Sequence, residues 1–317
     1  MRVFSIPLRT RFRGIDAREG LLLEGPLGWG EFSPFLEYDD AVSVPWLSCA
    51  REAAFEGWPD PVRVVVPVNV TVPAVDAEHA HRIVVDGGCR TAKVKVAERG
   101  QTLGDDQRRL EAVRDALGPA GLVRIDANMG WEVDEAVTAI RLLERAAGGL
   151  EYVEQPCRTV EELASVRRAV DVPIAADESI RRAVDPYRVR DLQAADIAVL
   201  KVQPLGGVRA CLRIAEDIGM PVVVSSAIET SVGIAAGVAL AAALPELPHA
   251  CGLATVQLLG DDVCERPMLP VDGVLPVMRP DPSPEALDRL EAGADRRAHW
   301  ETRLAAVTRL LGQDGRS

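Results

Sequence analysis

Lysine is nearly missing from this chain. Of 36 basic residues only three are lysine, Lys93, Lys95 and Lys201; the other 33 are arginine. A surface position accepts either residue. Lysine persists where a charge must come and go, because a guanidinium stays protonated at any ordinary pH. Other absences bound the answer. No run of 18 or more apolar residues occurs, which excludes a predicted membrane-spanning helix. The first 14 residues carry four arginines and no apolar stretch, so no signal peptide is read. Six cysteines are scattered without a C-x-x-C pair and read as reduced, buried thiols of a cytoplasmic protein. The four histidines show no zinc spacing, and His79 and His81, two apart in a predicted helix, do not share a face. Positive charge is in deficit. The net charge of −12 argues against nucleic acid or an anionic membrane as partner. No obligate protein partner is signalled.

What is present is a large apolar fraction, 48%, enough for a sizeable core. Residues 1–65 read as mixed strand and helix: strands over 3–8 and 19–24, a turn at 25–28, an extended run at 29–32. A helix follows within 39–56, its regular part starting near Ser43 because Pro45 belongs in a first turn. Pro59 and Pro61 mark a boundary. Beyond it the texture changes. Apolar runs at 66–72, 93–96, 122–128, 152–155, 174–177, 197–203, 222–226 and 250–255 recur at intervals of about 25 residues, with amphipathic stretches between them. Strands alternating with helices give a parallel sheet, and eight such units give a (β/α)8 TIM-like barrel over 66–256. Residues 257–317 carry a linker, then a helix start with Ser283 as N-cap and Pro284 at the first position. That segment is expected to pack back on the N-terminal part or the barrel flank.

In such barrels chemistry sits at the C-terminal ends of the strands. Lys93 and Lys95 lie two apart on one strand and share a face, where each is expected to depress the other's pKa. The next strand ends Arg124-Ile-Asp126-Ala-Asn128, with Asp126 and Asn128 on one face. Glu154 and Asp177 end the two strands after that. Lys201 ends the sixth, and Ser225 and Ser226 the seventh. Three carboxylates converging on a barrel axis are unfavourable without a cation. An all-oxygen set suits Mg2+, with Mn2+ an alternative ion. Glu178 reads as a cap or salt-bridge partner rather than a ligand. A small-molecule carboxylate on the metal would lie between Lys95 and Lys201, which stand opposite in an eight-strand circle. The reaction class is proton abstraction α to that carboxylate, the metal stabilising the enediolate.

Lys93-x-Lys95, Asp126-x-Asn128, Glu154-Gln155-Pro156, Asp177-Glu178-Ser179 and Lys201 together resemble the enolase superfamily, muconate-lactonising-enzyme subgroup. The likeness spans nearly the whole chain, since Trp29-Gly30-Glu31 and its flanks resemble the family's α+β capping domain. It implies that Asp126, Glu154 and Asp177 hold the metal. It implies that Lys95 is the base and then the acid, that Lys93 tunes it, and that Lys201 stabilises the enediolate by its charge. Asn128, Arg124, Ser225 and Ser226 are weaker candidates for supporting or substrate contacts. The compact segments Arg13-Gly14…Arg18-Glu19-Gly20 and 28–35 are most similar to members that carry out a syn dehydration of 2-succinyl-6-hydroxy-2,4-cyclohexadiene-1-carboxylate to 2-succinylbenzoate in menaquinone biosynthesis. The resemblance implies that residues 28–35 and those near Arg13–Arg18 close over the succinyl tail. The same core serves N-acylamino acid racemases, muconate cycloisomerases and dipeptide epimerases. The epimerases are expected to carry Asp-x-Asp at the last strand, which ends here Cys251-Gly-Leu-Ala-Thr255. A non-catalytic barrel would be marked by a missing ligand or lysine, and none is missing. A phosphate site at Gly206-Gly207 would follow the wrong strand, so that pair reads as a turn.

Overall fold

A computed structural model of the chain describes residues 1–181 and 186–314. It opens with an antiparallel sheet, β1 (Arg2–Phe12), β2 (Ile15–Gly25) and β3 (Gly28–Phe32), in that order. The first two strands run longer than sequence reading expected. They close in a two-residue turn with positive φ at Arg13 (51°) and Gly14 (77°), the primed geometry that matches strand twist. Helix α1 (Asp40–Arg51) packs on this sheet. It starts three residues before the expected Ser43. Asp39 accepts from Val42 N at 2.8 Å, and Ser43 Oγ binds Asp39 O at 2.6 Å, so the first turn forms ahead of Pro45 and carries the proline inside the helix. A single π-helical turn, Glu52–Glu56, ends at Gly57 (φ 76°).

The barrel follows. The expected strand 66–72 is split: β4 (Val65–Pro67) turns outward to pair antiparallel with a late strand, and β5 (Val70–Val72) opens the parallel sheet. Then come α2 (Ala77–Gly87), β6 (Thr91–Lys95), α3 (Leu103–Leu117), β7 (Leu122–Asp126), α4 (Val133–Ala147), β8 (Val153–Glu154) and α5 (Val160–Ala169). After these lie β9 (Ile174–Ala176), the short turns α6 (Glu178–Arg181) and α7 (Arg188–Asp191), β10 (Ile197–Lys201), α8 (Val208–Ile218), β11 (Val222–Ser225) and α9 (Ser231–Ala243). The seven strands β5 to β11 pair in sequence order, each step parallel.

The eighth position is reduced to Cys251 and Gly252. They bridge Val68 on one side and Ser225 on the other, through Asn69 N to Cys251 O (2.9 Å), Cys251 N to Pro67 O (2.7 Å) and Gly252 N to Val224 O (2.8 Å). The sequence run 250–255 is thus shorter than expected as a strand and passes into a 3-10 turn, Thr255–Leu258. Gly252 crowds Ser225, whose Oγ would lie 2.6 Å from any Cβ there.

Outside the sheet, Val94, Ile125 and Leu200 meet helix residues such as Leu110, Ile140 and Val208 in one core. Inside it, Tyr152, Ala175, Ile197, Val199 and Val223 plug the barrel below its mouth. The chain ends with β12 (Val274–Pro276), the partner of β4, then α10 (Pro284–Arg289) and α11 (Ala294–Asp314). Ser283 caps α10 as expected, accepting from Ala286 N at 3.1 Å. The C-terminal segment packs on the N-terminal part. Trp300 meets Phe32 edge-on at 6.0 Å between centroids, and Arg303 donates to Phe35 O and to Ser43 Oγ. All six cysteines are buried thiols, and no helix among the described residues is long and apolar enough to cross a membrane.

Candidate active site

Sheet register sets the site. Lys95 pairs with Asp126, Asp126 with Glu154, and Lys201 with Ser225, so strand-end side chains stand at one level around the mouth. Asp177 follows β9 directly and is 0% exposed; Asp126 and Glu154 are each 1% exposed. The three lysines reach in among these carboxylates. Lys93 Nζ donates to Asp126 Oδ2 (3.0 Å) and to both Glu154 oxygens (2.9 and 3.1 Å). Lys95 Nζ donates to Asp126 Oδ2 at 2.5 Å and to Asn128 Oδ1. Lys201 Nζ donates to Asp177 Oδ2 at 2.5 Å. Arg181, one helical turn beyond Asp177, takes its other oxygen through Nε at 2.8 Å and also binds Glu178.

The electrostatics separate the two lysines of β6. Burial pushes both down. For Lys93, Asp126 and Glu154 outweigh burial and hold the ammonium well above its usual range. For Lys95, burial prevails, aided by the charge of Lys93, and its pKa is lowered. The mutual depression expected from the sequence is therefore one-sided, because Lys93 sits between two carboxylates. Asp126 is held far below the carboxylate range in spite of burial, by Lys93 and Lys95. Asp177 is depressed likewise, by Arg181 and Lys201. Glu154 is pushed up to about 7, by burial first and by the neighbouring Asp126 charge second.

The three lysines open onto a cleft between the barrel mouth and the N-terminal sheet, with the carboxylates beneath them. Lys93, Lys95, Lys201, Asn128, Ser225 and Ser226 all line it. Asn128, at φ 44°, receives Lys95 and donates its backbone N to Asp126 Oδ1 at 3.0 Å. Ser226 Oγ is bonded to Thr255 Oγ1 at 2.8 Å. Arg124 lies two residues deeper on β7. Its guanidinium binds Glu151 (2.6 Å), Tyr152 OH (3.0 Å) and Ala250 O (2.7 Å) inside the barrel, away from the cleft.

Sequence reasoning missed Phe12, Trp46, Arg181 and Ile228, which also line the cleft. For Arg181 the i, i+4 spacing from Asp177 was the available signal. From the region expected to cover a substrate tail, Arg13 and Phe35 do reach the cleft. The Arg13 guanidinium lies 3.8 Å over the Phe35 ring and donates to Tyr38 OH at 2.8 Å.

Three buried carboxylates and no nitrogen or sulfur donor form a set suited to a hard divalent cation. The crowding that lifts Glu154 is the repulsion such an ion would relieve. In this structure the oxygens are turned to the lysines, and among the described residues no three acidic, His or Cys side chains are spaced to hold an ion as they stand.

Two family models match the chain, one described as enolase C-terminal domain-like over residues 75–282 and one as enolase N-terminal domain-like over residues 3–54. The o-succinylbenzoate synthase of Thermobifida fusca is 67% identical over 306 residues, covering 96% of this chain and 95% of that protein. The o-succinylbenzoate synthases of Mycolicibacterium smegmatis and Mycobacterium tuberculosis are 54% and 56% identical, each over 98% of this chain and over 96% and 94% of the relative. Among solved structures, the L-Ala-D/L-Glu epimerase of Bacillus subtilis superposes with a TM-score of 0.75 at 25% identity, covering 89% of this chain and 95% of that one. A muconate lactonizing enzyme of Pseudomonas fluorescens gives 0.78 at 22%, covering 92% and 97%, a likeness of fold.

Proposed function

The chain belongs to the enolase superfamily, among its o-succinylbenzoate synthases, and from that premise we propose how its residues carry out the dehydration. The substrate is 2-succinyl-6-hydroxy-2,4-cyclohexadiene-1-carboxylate, the product is 2-succinylbenzoate, and the setting is the menaquinone pathway of the cytoplasm. The family typically uses a divalent metal; Asp126, Glu154 and Asp177 would hold one Mg2+, which supplies positive charge to the substrate carboxylate. Lys95 takes the proton from the carbon α to that carboxylate and returns it to the departing hydroxyl on the same face, so that water leaves and the ring becomes aromatic. The observation that carries this reading is the contrast on β6: Lys95 lines the cleft with its pKa lowered by burial, while Lys93, two residues away, donates to Asp126 and to both Glu154 oxygens and has its pKa raised by them. Lys93 thereby keeps a positive charge beside Lys95 and holds Asp126 and Glu154 in place. Lys201, across the cleft, sets its ammonium against the negative charge that builds on the carboxylate. Residues 1–65 serve as the cap, 66–256 carry the chemistry, and 257–317 fasten the cap.

The test is loss of substrate absorbance with Mg2+ and with chelator, in the unaltered protein and in Lys95→Arg and Lys201→Arg. Each variant is expected to lose at least roughly a hundredfold in kcat, with Mg2+ binding by calorimetry and the circular dichroism spectrum retained. Substantial turnover in both variants refutes the mechanism. A second reading, racemisation of N-succinylamino acids, draws support from Lys95 and Lys201 lining the same cleft. Exchange of the α-proton in deuterated water reports it directly.

A further inference from the structure

We infer that Arg18 and Glu31, two buried charged residues of the N-terminal sheet, are positioning residues that hold barrel loop 226–230 in its strained form, so that Ala227 and Ile228 make one wall of the substrate cleft. Ile228 has φ +63°, a costly backbone for a β-branched residue. Within the loop, Ala227 N donates to a Glu229 oxygen at 2.7 Å across Ile228. The Ile228 carbonyl itself is held from the other domain. Arg18 Nε donates to Ile228 O at 3.0 Å, while the same fork donates to Ser33 Oγ at 2.9 Å and lies 4.5 Å over the Phe35 ring.

Two residues on, Glu31 takes over the start of α9. One of its oxygens accepts from Thr230 N (3.0 Å), Thr230 Oγ1 (2.5 Å) and Gly233 N (3.1 Å), and the other from Ser33 Oγ (2.5 Å). Thr230 occupies the N-cap position of α9, yet its hydroxyl caps nothing in its own helix. The cap is supplied by Glu31. Gly233 makes room for it and for Glu229, since a Cβ there would stand 2.5 Å from the Glu229 Cβ and 2.8 Å from the Glu31 carboxylate. The loop is thus pinned at Ile228 and at Thr230 by one sheet of the N-terminal domain, and the residues between the catalytic strand end and those pins line the cleft.

The inference rests on the cleft being the substrate cleft of the proposed reaction, and the test separates the two. Arg18→Lys keeps a cation beside the buried carboxylates but cannot reach Ile228 O and Ser33 Oγ together. Ile228→Gly makes the left-handed angle cheap. Expected for Arg18→Lys are a roughly tenfold rise in KM with kcat held within about twofold, and roughly tenfold faster amide exchange confined to 227–230. In the Ile228→Gly background the same Arg18→Lys change is expected to alter KM by less than about twofold. Equal KM factors in the two backgrounds, or no change in KM and loop exchange, overturn the inference. If the unaltered protein fails to turn over the cyclohexadiene carboxylate, the proposed reaction falls. Loop exchange in the four proteins then still decides whether Arg18 holds residue 228.

Discussion

Replacing Glu229 by Gln is expected to remove a pH-dependent burden from this fold. Glu229 is buried at the domain junction beside Glu31 and Arg18, and one of its oxygens accepts from Ala227 N at 2.7 Å. Its pKa is pushed from an ordinary 4.5 up to about 7, by burial first and the Glu31 charge second, against the pull of Arg18. A raised carboxyl pKa means the folded chain binds the proton more tightly than the unfolded one. The stability this confers is complete below about pH 4.5 and is lost as pH rises through 7. Two and a half pKa units amount to about 3 kcal/mol. Gln keeps the acceptor for Ala227 and has no proton to lose. Its extra amide hydrogens carry a cost of their own, but that cost does not vary with pH. Glu31 titrates in both proteins, and loss of its like-charged neighbour shifts it in the same sense. The quantity to follow is the difference in urea unfolding free energy between Glu229→Gln and the parent, at pH 5, 6, 7 and 8 without added metal. It should grow in favour of the variant by about 2.5 kcal/mol across that range, the rest of the effect lying below pH 5. A difference that stays flat, or runs the other way, refutes the reasoning.

Arg13 stands at the cleft, ion-paired at 3.4 Å with the exposed Glu37, and a substrate with a second carboxylate on its tail offers it a better-shielded partner. Arg13→Met should raise KM by roughly tenfold or more, the worth of a charge-assisted hydrogen bond, with kcat nearly unchanged; a fall in kcat at constant KM would contradict this. Trp300 is wholly buried against Phe32, so Trp300→Ala should cost about 3–5 kcal/mol in urea unfolding, and a loss under about 1 kcal/mol would show that the C-terminal helix does not secure the cap. A Cβ at Gly252 would press on Ser225 Oγ at 2.6 Å, where the barrel closes on only two residues. Gly252→Ala should therefore lower activity more than stability, read by comparing kcat/KM with the urea midpoint.

Much of the barrel was legible because its signals are local and periodic. Each parallel strand, buried on both faces, writes a short apolar run, and each helix writes a stripe. The strand-end lysines and carboxylates could be placed from those runs alone. The eighth strand misled because apolarity persists from 250 to 255 while hydrogen bonding stops at Gly252. The hairpin over the mouth was hidden for the opposite reason. Arg9, Arg11 and Arg13 alternate along an exposed edge and write no apolar run, yet this edge delivers Phe12 and Arg13 to the cleft. The direction of the Lys93 shift depends on which carboxylates its ammonium reaches, and strand spacing alone does not contain that. Arg124 shares a strand face with Asp126 but sits two residues down the barrel, where the partners are Glu151 and Tyr152. A period of two names the face and leaves the depth open.

The two domains are joined by charge as much as by apolar packing, and the joints fall on the strands that matter. Besides Glu31 on α9, Glu52 of the N-terminal part is buried against the start of α8, accepting from Val208 N and, at 3.0 Å, from Arg209 N. Gly207, at φ 114°, leaves the space for it. Neither helix has a capping side chain of its own. A helix start presents unsatisfied N–H groups and a positive dipole end, and burying it requires an acceptor. Here both acceptors come from the same small domain. The helix capped by Glu52 follows the strand that ends in Lys201, and the helix capped by Glu31 follows the strand that ends in Ser225. A shift of the N-terminal domain would therefore uncap two barrel helices at once and loosen Lys201 and one wall of the cleft together. Substitutions at this junction should be read first as changes in how Lys201 and loop 226–230 are held, and only then as changes in how the cleft is covered.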